Sequence, residues 1–383
     1  MNDNGNVKFN RNRRQSLVVY FIPYTKEPGR DTISTRVPLL YSVLKEHTEV
    51  LRAPQSLNAK IFLLNRILLL ITSAKSLLSL FRIYLRNKER IVIFGSDQPA
   101  GFIATVLGTF TRHLLKSKSI HIVYDSHGSR YKLAIDLNQS LIYKIISIFE
   151  DTLSVKVADI VIVPTYADKV IYAQYTRKKT KFIILPSLVR TGNVVFNEWN
   201  KRRFEFAFHA NFSYPPNIEA LKIISRWLED KSGINLIIFG VNSQIAYKCI
   251  APKTLRQNQI RILGYIDNPY LILGNTKFYL APIFKGTGII TKVLEAMAAG
   301  AIPITTKFVA LGIPELRQWP ELIASNMSDW IEKAEKHLAG VYKLDYDAIS
   351  KKLTDITNKN YGYNANKLLL RNALEKLGYA DRV

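Results

Sequence analysis

At 383 residues, 48% hydrophobic and 22% charged, the chain is too long for one ordinary core and too apolar for a disordered polymer, so two globular domains are expected. Its one cysteine, Cys249, excludes an intrachain disulfide, and no Cys/His cluster with metal-ligand spacing occurs, so no metal is expected. The net charge of +24, larger before Ser187 (+15) than after it (+9), favours a polyanionic partner: a membrane surface, nucleic acid or an anionic glycan.

The polar opening Asn2-Asp-Asn-Gly-Asn6 has no hydrophobic core of a cleavable signal peptide. Ser16–Ile22 reads as a buried strand, and the loop after it carries Gly29, Arg30 and Arg36. Ala59–Arg86 is apolar yet carries Lys60, Arg66, Lys75, Arg82 and Arg86. From Ile61 to Phe81 it is about long enough to span a bilayer, but Arg66 and Lys75 would be costly inside one. Two readings stay open: an amphipathic helix lying on anionic headgroups, or a core helix with snorkelling basic side chains.

Further strands are expected at Arg90–Phe94, Ile120–Tyr124, Ile160–Val163 and Phe182–Leu185, with helices at Ala100–Leu115 and Gln139–Val157 between them. The polar stretch Thr191–Asn200 suits a linker. A second series follows: strands near Phe204–Phe208, Ile234–Phe239, Arg261–Leu263, Phe278–Leu280 and Ile302–Thr305 alternate with helices. This alternation predicts parallel α/β layers in two Rossmann-like halves, with a cleft where the strand ends of each half meet. The expected division is 1–187, 188–363, and a last helix within 364–383 that crosses back to the first domain.

The most informative stretch runs from Ala281 to Gly300, Ala-Pro-Ile-Phe-Lys-Gly-Thr-Gly-Ile-Ile-Thr-Lys-Val-Leu-Glu-Ala-Met-Ala-Ala-Gly. It reads as a strand end, a Gly-x-Gly loop, a helix with one acid, and a Gly stop. Loop amides at a helix N-terminus attract anions. Helical spacing puts Gly288, Lys292 and Glu295 on one face, so a phosphate at the loop and sugar hydroxyls at Glu295 suit a nucleotide sugar. For Lys292, a phosphate contact and a plain i,i+3 salt bridge with Glu295 are both open.

Together with Phe208-His-Ala-Asn-Phe-Ser-Tyr-Pro-Pro-Asn217 and Gly264-Tyr-Ile-Asp267, this block resembles the C-terminal domain of GT-B glycosyltransferases. The similarity is to the large retaining family four, and within it to the bacterial polysaccharide-assembly subgroup. In the first half only Tyr124-Asp-Ser-His-Gly128 and Ala158–Val163 match. The resemblance implies a GT-B fold and assigns Glu295 to the ribose of the donor, with Gly286, Thr287, Gly288 and Lys292 facing its phosphates. It implies that Gly264, Tyr265 and Ile266 line the base pocket, that Tyr214 and Asn217 face the cleft, and that His127 stands near the transferred sugar. The chain departs from the family where Thr287 replaces the first acid of the paired-glutamate motif, where Ala210 replaces a glycine, and where Ser187 replaces an asparagine. The donor sugar is therefore left unread.

The expected reaction is transfer of a glycosyl group from a nucleoside diphosphate sugar to a hydroxyl of a lipid-linked saccharide, in cell-surface polysaccharide synthesis. Retention and metal independence follow from the resemblance, and no cofactor besides the donor is expected. The enzyme is expected in the cytoplasm, peripheral to the plasma membrane. Two alternatives are a GT-B enzyme that glycosylates DNA, for which no DNA-reading element is present, and a catalytically silent nucleotide-binding protein, for which Thr287 speaks. Glu150, mid-helix, reads as structural.

Overall fold

A computed structural model of the chain describes residues 17–23, 49–52, 90–117, 119–176, 181–189 and 197–375, with single positions and short runs between 37 and 81. The loop bearing Gly29, Arg30 and Arg36, and the residues Lys60, Arg82 and Arg86, lie outside the described residues.

The first half forms a six-stranded parallel sheet in the order β2-β1-β3-β4-β5-β6. The strands are β1 (Leu17–Pro23), β2 (Glu49–Arg52), β3 (Arg90–Ser96), β4 (Ile120–Asp125), β5 (Ile160–Val163) and β6 (Lys181–Ile184). The central strands are continuous apolar runs because helices cover both faces of a parallel sheet. Ile91, Val92, Ile93 and Phe94 are all buried, as are Ile160 through Val163. Among the covering helices are α1 (Ala100–Leu115), α2 (Arg130–Asp136), α3 (Leu141–Val157) and α4 (Tyr166–Ala173). Close packing of α1 rests on two glycines: a Cβ at Gly101 would meet the Tyr124 ring at 2.3 Å, and one at Gly108 would meet Ile122 at 2.5 Å.

The second half repeats the plan with the order β12-β11-β10-β7-β8-β9, again parallel throughout. Its strands are β7 (Phe204–His209), β8 (Asn235–Phe239), β9 (Gln259–Leu263), β10 (Thr276–Leu280), β11 (Ile302–Thr306) and β12 (Ile323–Ala324). The helices that matter to the site are α5 (Pro215–Leu228), α6 (Thr291–Ala298) and α7 (Lys307–Gly312), followed by α8 (Met327–Leu338), α9 (Tyr346–Tyr361) and α10 (Tyr363–Glu375). The two parallel α/β halves expected from the alternation of elements are thus present. The strands β2 and β12 were not foreseen: β2 is Glu-Val-Leu-Arg, charged at both ends and so not an apolar run, and β12 has only two residues.

α6 ends where the sequence places its glycine stop. Gly300 has φ +77°, and the buried Arg202 guanidinium donates to Gly300 O (2.7 Å), Thr276 O and Ser350 Oγ. The start of α6 differs from expectation. Gly288 stands in the loop, not on the helix, because Ile290 keeps a non-helical conformation (ψ 86°) and the helix begins at Thr291.

Leu370 of α10 lies in the core of the first sheet, 1% exposed, clustered with Val19, Phe21, Val92 and Phe94. Part of the 59–86 stretch also packs inward. Leu70, Ala74 and Phe81 meet the core beside α1, and Tyr20 donates its hydroxyl to Ser73 O (2.8 Å). Arg66 forms a two-pronged ion pair with the buried Glu150 of α3, Nη2 to Oε2 being 2.9 Å. Arg66 is therefore committed to a protein carboxylate, and for it the headgroup role is replaced by a structural one. Glu150 is structural, as its mid-helix position suggested. No helix among the described residues is long and apolar enough to cross a membrane.

Candidate functional site

The carboxyl ends of β3 and β4 carry the first part of the site. Ser96 Oγ donates to the fully buried Asp125 Oδ2 (2.7 Å), and His127 Nε2 lies 3.2 Å from Ser96 Oγ and 3.3 Å from Asp125 Oδ2. Asp125 anchors the imidazole. The turn itself is built on Ser126, which accepts from Gly128 N and bonds to Tyr172 OH (2.7 Å). Ser129 caps α2 and donates to Asp151 Oδ2 (3.0 Å). Burial raises the Asp151 carboxyl to about 7, against the lowering effect of bonds from Tyr131 N and Ser129.

The loop after β10 supplies the second part and meets the first across the cleft. A Cβ at Gly288 (φ +73°) would lie 2.5 Å from His127 O, and one at Gly128 (φ +125°) would lie 2.7 Å from Thr287 Oγ1. Glycine is required at both positions by backbone conformation and by the closeness of the opposite loop. Thr287, where the family carries an acid, therefore faces the His127 turn. Gly286 N donates to Asp136 Oδ2 (3.3 Å), a carboxylate at the end of α2 that also accepts from Lys132 (2.7 Å). The loop's affinity for anions is thus expressed internally. Asp136 was missed at the sequence level, since nothing local marks an acid that acts 150 residues away.

On α6, Lys292 donates to Asn217 Oδ1 and sits over the Phe208 ring at 5.5 Å. Desolvation lowers its ammonium to about 7, with the Glu295 charge pulling the other way. Glu295 does not hydrogen-bond to Lys292: its Oε2 lies 2.8 Å from His209 Nε2, both side chains being buried. The i,i+3 salt-bridge reading is thereby replaced by a pair that bridges α6 and β7. His209 was overlooked as an ordinary strand residue within the Phe208–Asn217 motif.

Asn217 is buried and donates to Asn211 O (2.7 Å), which holds its carbonyl toward Lys292. Tyr214, 36% exposed, caps α5 toward the cleft. Its phenol is pushed up to about 12, by desolvation first and then by the Asp136 carboxylate. A cavity of about 470 Å³ opens at the carboxyl ends of β8 and β9, lined by Gly240, Val241, Asn242, Gln244, Gly264, Tyr265 and Asp267. Gly264 and Tyr265 therefore stand in its wall. Ile266 does not; it packs against the core of the second sheet, because its apolar side chain gains more there than at a wet rim. Among the described residues no cluster of three or more His, Cys, Asp or Glu side chains could hold a metal ion.

The site thus places a nucleotide-sized cavity, an enclosed cation, a buried acid and a glycine loop along the strand ends of one sheet, facing the His127 turn of the other. Residues 206–339 match the family model described as glycosyl transferases group 1. This segment of the second half is thus similar to a glycosyl transferase group 1 domain, and the two-domain fold is that of GT-B structures.

Solved structures with the same two-domain arrangement include sucrose-phosphate synthase from Thermosynechococcus elongatus (TM-score 0.68, 12% identity, covering 96% of this chain and 100% of that one). HepE of Anabaena in complex with UDP is similar at TM-score 0.64 and 12% identity, over 94% of this chain and 99% of that one. The lipopolysaccharide outer core galactosyltransferase WaaB follows at TM-score 0.62 and 13% identity, over 94% and 99%. The search of curated proteins returned no match. The matched segment contains His209, Tyr214, Asn217, Gly264, Gly286–Gly288, Lys292 and Glu295.

Proposed function

We propose that this GT-B glycosyltransferase moves a sugar from a nucleoside diphosphate sugar to a hydroxyl of a lipid-linked saccharide in cell-surface polysaccharide synthesis, with retention and without a metal ion. The observation that carries the donor assignment is the alignment of the β8–β9 cavity, Glu295, Lys292 and the Gly286–Gly288 loop along one sheet edge. In that order they suit base, ribose, and diphosphate. HepE, of the same fold, is solved with UDP-glucose bound, which supports a donor of this class.

In the reaction the bond from the anomeric carbon to the diphosphate oxygen breaks and the bond to the acceptor oxygen forms on the same face. The acceptor proton passes to the departing diphosphate. Charge builds on that leaving group, and the loop amides with the Lys292 ammonium are placed to stabilise it. His127, held by Asp125 and Ser96, stands opposite the loop and orients the transferred sugar. For the amides to serve, Asp136 must yield Gly286 N to the phosphate.

The acceptor assignment draws on the surface of the first domain. Leu141, Ile142, Ile145 and Phe149 of α3 are 57–71% exposed, beside exposed Ile67 and Ile71. With the chain's positive charge, this apolar face suits the cytoplasmic surface of an anionic membrane that displays the lipid-linked acceptor. The decisive test of the donor site is calorimetry with a panel of nucleoside diphosphates and their sugars. One of them binds in the micromolar range, and Glu295→Ala weakens it at least tenfold and abolishes transfer. An unchanged affinity in that variant removes the proposed site.

A further inference from the structure

His209 is buried at the end of β7, and its ring is fixed on three sides. It stacks on Phe239 at 5.0 Å with an interplanar angle of 11°, meets the Tyr279 ring edge-on at 5.3 Å, and has its own carbonyl held by Tyr279 OH at 3.0 Å. Its Nε2 lies 2.8 Å from Glu295 Oε2, while its buried Nδ1 has no hydrogen-bond partner. An ionised carboxylate only accepts, so the ring proton belongs on Nε2. A second proton on Nδ1 would have no acceptor. Buried polar atoms are nearly always satisfied, so an imidazole tolerated with one bare nitrogen implies that the other bond matters.

The neighbours of His209 tell what that bond does. The next residue after its stacking partner is Gly240, which lines the β8–β9 cavity, and Gly240 N is bonded to Gly264 O across the cavity wall (3.0 Å). Glu295 reaches this edge from α6, and one of its two oxygens is taken. We propose that His209 is a positioning residue: its Nε2–H holds Oε2 of Glu295, so that Oε1 alone is presented to the ribose hydroxyls of a nucleoside diphosphate. This rests on the reading of Glu295 as the ribose ligand. An aliphatic residue at 209 would leave the carboxylate free to rotate and would blur discrimination between ribose and deoxyribose without touching base or phosphate. A hydrogen bond to a charged group inside a protein is worth about ten- to a hundredfold in an equilibrium constant.

The test compares UDP, ADP and GDP with their 2′,3′-dideoxy counterparts by calorimetry, in the wild-type protein and in His209→Phe and His209→Gln. The wild type favours the ribonucleotide by roughly tenfold or more. In His209→Phe, which keeps the stacking on Phe239, that preference falls to within about twofold of unity while dideoxynucleotide affinity holds. His209→Gln, with an N–H to offer, regains most of it. A preference retained in His209→Phe overturns the proposal. A wild type that binds nucleoside diphosphates without any such preference overturns the Glu295 reading instead, and the positioning role with it. Should His209→Phe not fold, ring-nitrogen NMR of the wild type decides: the Nε2–H tautomer is expected, and the Nδ1–H tautomer rules the proposal out.

Discussion

At the scale of single residues, the chemistry turns on how burial sets charge. Lys292 is lowered to about 7 by desolvation, so near neutrality it is only partly protonated in the free enzyme. A bound diphosphate favours the charged form, which makes binding take up a proton. The sign is fixed by this linkage. Affinity for a nucleoside diphosphate is flat just below pH 7 and falls as pH rises from about 7 to 9, by up to about tenfold per unit. Lys292→Met, which keeps the packing over Phe208, binds more weakly and loses that fall; calorimetry across the pH range reads both. Thr287 and His209 show the limits of motif reading at this scale. The first was notable for the acid it lacks, and the structure gives it a place against Gly128. The second carries no local signal, because a histidine ending a strand is ordinary until its partner 86 residues on is known.

At the scale of elements, the site is made by two loops that touch. Gly128 and Gly288 allow the His127 turn and the donor loop to approach as closely as backbone permits. Gly288→Ala would place a methyl 2.5 Å from His127 O in a backbone conformation that disfavours it. We expect the cleft to stay open, with transfer reduced about a hundredfold and nucleotide affinity reduced far less. Steady-state kinetics beside calorimetry separates the two effects. In the first domain, α3 exposes four large apolar side chains while its buried Glu150 grips Arg66. Flotation on liposomes containing anionic lipid is expected to drop at least fivefold when Ile142 and Phe149 are both changed to serine, with no loss of fold by circular dichroism. Undiminished flotation would show that α3 is not the contact. The sequence directed attention to the 59–86 stretch because it is apolar yet carries basic residues; the ion pair with Glu150 turns Arg66 inward, while Ile67 and Ile71 stay exposed.

At the scale of the molecule, two parallel sheets of six strands share one chain whose last helix returns to the first sheet. Leu370 fills the core under Val19 and Phe94, and Val189 N is bonded to Tyr361 O (3.1 Å) where the chain passes from one half to the other. Leu370→Ala is expected to destabilise the first domain by about 2–5 kcal/mol, read as a lower denaturant midpoint with the second domain unchanged. Because α10 follows directly on α9 of the second domain, such a loss would also loosen the cleft.

By itself the amino-acid sequence determined the two α/β halves, nearly every strand, and the glycine loop, helix and glycine stop from Ala281 to Gly300. These are written in local periodicity, in glycines with backbone tasks, and in residues close along the chain. Tertiary structure alone decided the pairings that give the site its chemistry. Glu295 belongs with His209 and not with Lys292, Lys292 with Asn217, Gly286 with Asp136; outside the site, Arg66 belongs with Glu150. Each joins groups from separate elements that the fold brings together, a proximity that no local spacing records.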